Sequence, residues 1–149
     1  MLNITRCRSI LTAFGIALGS TGALSANAAE LVIDPLGTNG LSPIPFNARN
    51  SGTEPIDCQI AAAHFYSVDL GTAAPGGEVK AELWASVATG EVYVLNRTRV
   101  RIPVQSLWCG FAGRAWETRD PVELARKAGH TPGPITLMCQ GETDRLRCR

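Results

Sequence analysis

The chain is short of histidine and lysine, with two of each in 149 residues, and it has no long uninterrupted apolar run. Each scarcity excludes something. His64 and His130 stand far apart, and no CxxC or HExxH spacing occurs, so no clustered ligand set for a metal can be read. A blue-copper pattern also fails, because the first histidine after Cys109 is His130. The nucleophile-elbow spacing GxSxG and the phosphate loop GxxxxGK[ST] are both missing. We therefore expect no cofactor and no metal. Charge of one sign is lacking too: 14 basic side chains against 13 acidic ones give a formal net charge of +1. That balance offers no bulk attraction to nucleic acid or to an anionic membrane surface.

What is present begins with a segment we exclude from the fold. Arg6 and Arg8 precede the apolar stretch ILTAFGIALG, and Ala26-Asn27-Ala28 supplies small residues at the end. This three-part pattern predicts a secretory signal peptide over residues 1–28. The apolar stretch is too short and too interrupted for a spanning helix, which takes about 20 residues. No stable membrane insertion is expected after cleavage. Cys7 lies before the apolar stretch and is read as incidental. Residues 29–149 then have the length of one ordinary domain, large enough to bury a core.

That domain keeps four cysteines, Cys58, Cys109, Cys139 and Cys148. An even count behind a signal peptide predicts two disulfides and an oxidising compartment. Three pairings are open, and we favour Cys58–Cys109 with Cys139–Cys148. Twelve arginines against two lysines fit a bacterial exported protein, periplasmic or secreted.

Strand signals recur about every ten residues between Gly/Pro-rich turns, which predicts a mainly β fold, a small sandwich or barrel. PLGTNGLSPIP (35–45) reads as an irregular lead-in loop. Phe46, Ala48 and Asn50 alternate in the first strand, and Val79, Ala81, Leu83 and Ala85 in a later one. Residues 135–141 and 145–149 read as a hairpin stapled by Cys139 and Cys148. One or two short helices are also expected. Val104, Leu107, Trp108, Phe111, Ala112, Ala115 and Trp116 follow a helical period, although Gly110 and Gly113 favour a strand ending at Cys109. Asp120, Pro121, Glu123 and Gly129 punctuate a second helix. The rhythm of strands with one long-range bridge loosely resembles an immunoglobulin-like sandwich. Leu107 stands where that architecture places a tyrosine, however, and Trp84 is late for its buried tryptophan.

Catalysis finds little support. Cys109 in a bridge has no nucleophile to offer, and Asp57, Asp69 and Glu82 could form a carboxylate site only if the fold brings such groups together. Two surface features remain. Arg97, Arg99 and Arg101 alternate along a predicted strand, as do Arg145, Arg147 and Arg149. Their planar guanidiniums suit carboxylate, sulfate or phosphate, or else acidic neighbours on the same surface. Trp108, beside a bridged cysteine, is expected in the core, whereas Trp116 follows two glycines and precedes a charged run. The candidate contact surface is therefore Arg97, Arg99, Arg101, Arg114 and Trp116. The leading expectation is an exported, non-catalytic binding or inhibitor-like module that engages an envelope or extracellular protein. The alternatives are a carbohydrate- or anion-binding module and a small carboxylate-dependent hydrolase.

Overall fold

Alternation of buried and exposed residues organises most of the chain. In the computed structural model, which describes residues 36–149, nine strands appear: β1 (Leu41–Asn50), β2 (Ile56–Ala62), β3 (Tyr66–Ala73), β4 (Glu78–Ser86), β5 (Val92–Leu95), β6 (Arg101–Phe111), β7 (Asp120–Val122), β8 (Ile135–Glu142) and β9 (Arg145–Cys148). The expected signal peptide lies outside the described residues. Ile44, Phe46, Ala48 and Asn50 of β1 point inward, as do Ile56, Cys58, Ile60 and Ala62 of β2. Val79, Leu83 and Ala85 do the same in β4. Apart from the polar Asn50, these residues belong to a single apolar core that includes both disulfides.

The strands join in the order β3-β2-β6-β5-β4-β1-β8-β9, with β7 added beside β6. Every pairing between these strands is antiparallel except β1 with β8. The long strand β6 connects two parts of the sheet. Its first residues pair with β5, and Val104 to Phe111 pair with β2. The sheet turns back on itself, so β3 comes against β4, and β9 against β6 and β7.

Residues 41–45 differ from expectation, because β1 runs through Pro43 and Pro45. Over this stretch β1 pairs with β4 alone, and β8 joins only from Phe46 onward. Proline lacks an N–H to donate, and an edge position leaves that donor unneeded.

Neither expected helix forms, and of the two readings of residues 104–116 the strand is the one observed, running past Cys109 to Phe111. The only helical turn among the described residues is the 3-10 turn Ala63–Phe65. Residues 104–111 continue β6, with Leu107, Cys109 and Phe111 facing the core and Trp108 facing the other way. Trp108 is nonetheless only 6% exposed, because the chain after β6 folds back over it. A strand covered on both faces loses its polar alternation, and a continuous apolar run then imitates a helical period. The second helix is absent for another reason. Asp120 does not cap its own chain: its carboxylate accepts the Cys148 N–H at 2.8 Å and sits 3.4 Å from Arg147 Nη1. Pro121 lies opposite Trp108 in the short strand β7. Beyond it, Gly129 N–H donates to the Val87 carbonyl at 2.7 Å, and Arg126 donates to the Val104 carbonyl at 2.8 Å. Long-range bonds tie this segment down in place of helical ones. Gly90 has φ +77, and a Cβ there would lie 2.8 Å from the Ala128 nitrogen, so only glycine fits.

The two favoured disulfides are present, Cys58–Cys109 and Cys139–Cys148. Each joins residues directly opposite one another on neighbouring antiparallel strands, with Cα atoms 4.1 and 4.0 Å apart. An immunoglobulin bridge instead spans two sheets, so these bridges do not carry that likeness. The C-terminal strand is tied down by its bridge, and Arg149 and Met138 exchange backbone hydrogen bonds.

Candidate functional site

The turn after β6 builds the most specific surface. Gly113, at φ +78, reverses the chain, and its N–H donates to the Asp57 carboxylate at 3.2 Å. Thr118 then clamps the returning segment. Its buried hydroxyl accepts the Phe111 N–H at 2.8 Å and donates to the Arg114 carbonyl at 3.0 Å. The Thr118 carbonyl in turn accepts the Leu146 N–H from β9. Gly110 allows the approach, because a Cβ there would stand 2.2 Å from the Ala115 carbonyl oxygen.

This clamp holds Trp116 outward, with 59% of its surface exposed. Trp116 meets Trp108 edge-to-face, with ring centroids 5.3 Å apart. The guanidinium carbon of Arg119 lies 3.8 Å from the Trp116 ring centroid, and the same side chain donates to the Trp116 carbonyl. Arg114 lies 5.1 Å from the Phe111 ring and pairs with Glu54 at 3.3 Å. Asp57, Gln59, Gly113, Arg114, Ala115, Trp116 and Glu117 surround a shallow depression of about 310 Å³. The Trp108 indole Nε1 is buried without a hydrogen-bond partner.

Arg114 and Trp116 are thus brought together. Arg97, Arg99 and Arg101 do not form the expected stripe, because only Arg101 lies in a strand. Residues 97–99 form a turn after β5, and Arg99 has φ +62. Asn96 holds this turn, its side-chain oxygen accepting from the Thr98 and Val100 N–H groups at 3.0 and 2.9 Å. The Arg101 guanidinium is committed to the carbonyls of Leu36, Gly37 and Asn39, so it anchors the lead-in chain. Arg101 also borders a separate groove of about 420 Å³ with His64, Tyr66, Val68 and Ile102. Beside that groove, Phe65 is fully exposed in the left-handed region at φ +62. On β9, Arg147 pairs with Glu142 at 2.9 Å and Asp120 at 3.4 Å, and these carboxylates hold its guanidinium charged. Of the predicted arginine row 145, 147 and 149, the middle residue thus meets acidic partners on its own surface.

Sequence reasoning missed Arg119, Asp57 and Gln59 as neighbours of Trp116. Arg119 lies three residues beyond Trp116, and that proximity was the available signal. Asp57 and Gln59 arrive through the pairing of β2 with β6.

The sulfurs of Cys109, Cys139 and Cys148 all lie within 4.8 Å of one another, and each is held in a bridge. Among the carboxylates, Glu78 is held below its ordinary range by hydrogen bonding to Lys80 and its charge, and secondarily by Arg49. That direction is opposite to the one a general acid needs. Among the described residues, no helix is long and apolar enough to cross a membrane. Comparison with protein-family models, with curated proteins and with solved structures finds no match to this chain.

Proposed function

We propose that the chain is an exported, non-catalytic binding module that engages another envelope or extracellular protein through the surface centred on Trp116. The carrying observation is the half-exposed Trp116, fixed between the Arg119 guanidinium and the buried Trp108 ring. Tryptophan and arginine are the residue types that most often dominate the energetics of protein contacts. A rigid aromatic also loses little conformational freedom on binding. Arg119 covers one face of the Trp116 ring, which leaves less open ring for a stacked sugar and favours a protein partner over the carbohydrate reading. Two disulfides suit an oxidising compartment, and the sequence pattern at residues 1–28 supports export to the periplasm or the medium.

The test places a photo-crosslinking phenylalanine analogue at position 116 of the full chain, expressed in its native host. Discrete adducts with one envelope or extracellular protein are expected, and they should weaken at least tenfold when Arg119→Ala is combined with the probe. A matching probe at Met138, which is exposed on β8, serves as the control. Equal adducts from both positions, or none from 116, would refute the reading. Quenching of tryptophan fluorescence by cell-wall or polysaccharide fragments would favour the carbohydrate alternative.

A further inference from the structure

The two disulfides are not independent of each other in space. Cys58, Cys109 and Cys139 are fully buried, whereas Cys148 is only partly buried on the final strand. The Cys109 sulfur lies within 4.8 Å of both sulfurs of the second bridge. That separation is close to van der Waals contact and short enough for a thiolate to reach a disulfide sulfur after a small shift. The fully buried bridge is shielded from any external reductant, while the second bridge has one cysteine, Cys148, that is only partly buried.

We propose that the four cysteines form one thiol–disulfide relay, in which an external dithiol reduces the Cys58–Cys109 bridge by way of Cys139–Cys148. The thiolate of the dithiol attacks the Cys148 sulfur, breaking Cys139–Cys148 and leaving Cys139 as a thiolate. The second thiol of the reductant attacks its own bonded sulfur and departs as a cyclic or intramolecular disulfide, so Cys148 is released as a thiolate. Cys148 then attacks the Cys109 sulfur. A Cys109–Cys148 bond forms, the Cys58–Cys109 bond breaks, and Cys58 leaves with the electron pair and takes a proton. Finally Cys139 attacks the Cys148 sulfur, restoring the native hairpin bridge and releasing Cys109, which is also protonated. Two electrons and two protons pass from the dithiol to Cys58 and Cys109, and the second bridge is regenerated. Exchange of this kind depends on the thiolate fraction of the attacking sulfur and on its access to the disulfide. Burial sets the point of entry, since Cys148 alone among the four cysteines is not fully buried.

The principal test uses Cys58→Ser, which is close in size and leaves Cys109 as a lone thiol beside an intact bridge. Without any reductant, the folded variant should convert in part to forms linking Cys109 to Cys139 or Cys148, detectable by peptide mapping after acid quench. The conversion should quicken about 15- to 30-fold between pH 7 and pH 8.5, as the thiolate fraction rises. A folded variant that retains only Cys139–Cys148 and a free Cys109 overturns the proposal. Should the variant not fold, the wild-type chain is treated with limiting dithiothreitol and alkylated at intervals. The relay predicts that a Cys109–Cys148 or Cys109–Cys139 peptide appears transiently before Cys58 and Cys109 are alkylated. Alkylation of Cys58 and Cys109 with no such peptide at any interval overturns it.

Discussion

A single methyl group added at Gly110 should lift the Trp116 turn off the sheet. In Gly110→Ala the new Cβ would lie 2.2 Å from the Ala115 carbonyl oxygen, 2.6 Å from its Cα and 2.7 Å from its carbonyl carbon. All three are backbone atoms, so no side-chain rotation relieves the overlap. The turn stands about 1 Å or more inside ordinary contact and has to move by that much. Overpacking of this kind costs about 1–3 kcal/mol. The same movement pulls Thr118 away from the buried Phe111 N–H, and an unpaired buried donor costs about 1–3 kcal/mol more. The combined loss is about 3 kcal/mol. For a domain of this size that lowers the melting temperature by about 10 °C. The assay is thermal unfolding followed by near-ultraviolet circular dichroism, together with tryptophan emission of the folded protein at 25 °C. Trp108 should gain water contact, shifting emission to the red, and adducts at position 116 should fall. A variant that melts within about 2 °C of wild type, with unchanged emission, would refute the account of how the turn is held.

Other substitutions test the frame around the site. Asn50 is fully buried, donates to the carbonyls of Glu54 and Ala73, and accepts the Gly52 N–H, so it stitches the end of β1 to the loop after it and to β3. Asn50→Leu should cost about 3 kcal/mol, read as a lower urea midpoint with an unchanged slope. Arg114→Ala removes a half-exposed pair with Glu54 and should change stability by no more than about 1 kcal/mol, while still weakening position-116 adducts. Burial, with the Glu91 carboxylate 2.6 Å away, pushes the Tyr93 phenol from 10.0 up to about 12. Folding therefore favours the protonated phenol. Its contribution is present in full below about pH 10 and is lost as the pH rises toward about 12, amounting to about 2–3 kcal/mol. Urea midpoints measured from pH 9 to pH 12 should fall less steeply in Tyr93→Phe than in wild type. Parallel curves for the two proteins would contradict this assignment.

Local pattern was enough for elements with one covered face. Phe46, Ala48 and Asn50 alternate because β1 has a dry side and a wet side, and the same is true of Val79, Leu83 and Ala85 in β4. The Cys139–Cys148 hairpin was readable because its partners are close in sequence. The segment from Val104 to Trp116 was not, since two separate surfaces cover it: the core on one side and its own returning turn on the other. Each layer removes polar residues from a different face, and the run that remains imitates a helical period. Asp120 was misread for a similar reason. Its caps and its strand look alike in local sequence, and the choice is made by Cys148 and Arg147, which arrive from the end of the chain.

The stretch LWCGFAGRAW, residues 107–116, is where the two kinds of information meet. Its residues alone determined that a bridged cysteine, large aromatics and two flexible points would occur together, because those depend on residue type and spacing. Only the tertiary structure decided that Trp108 is buried on the face away from the main core, beneath the returning turn, and that Arg119, Asp57 and Gln59 join Trp116. It likewise decided that Arg101 holds the lead-in chain rather than standing in a row of free arginines. The reason is physical: exposure and partnership depend on which surfaces meet, and those surfaces come from strands tens of residues apart.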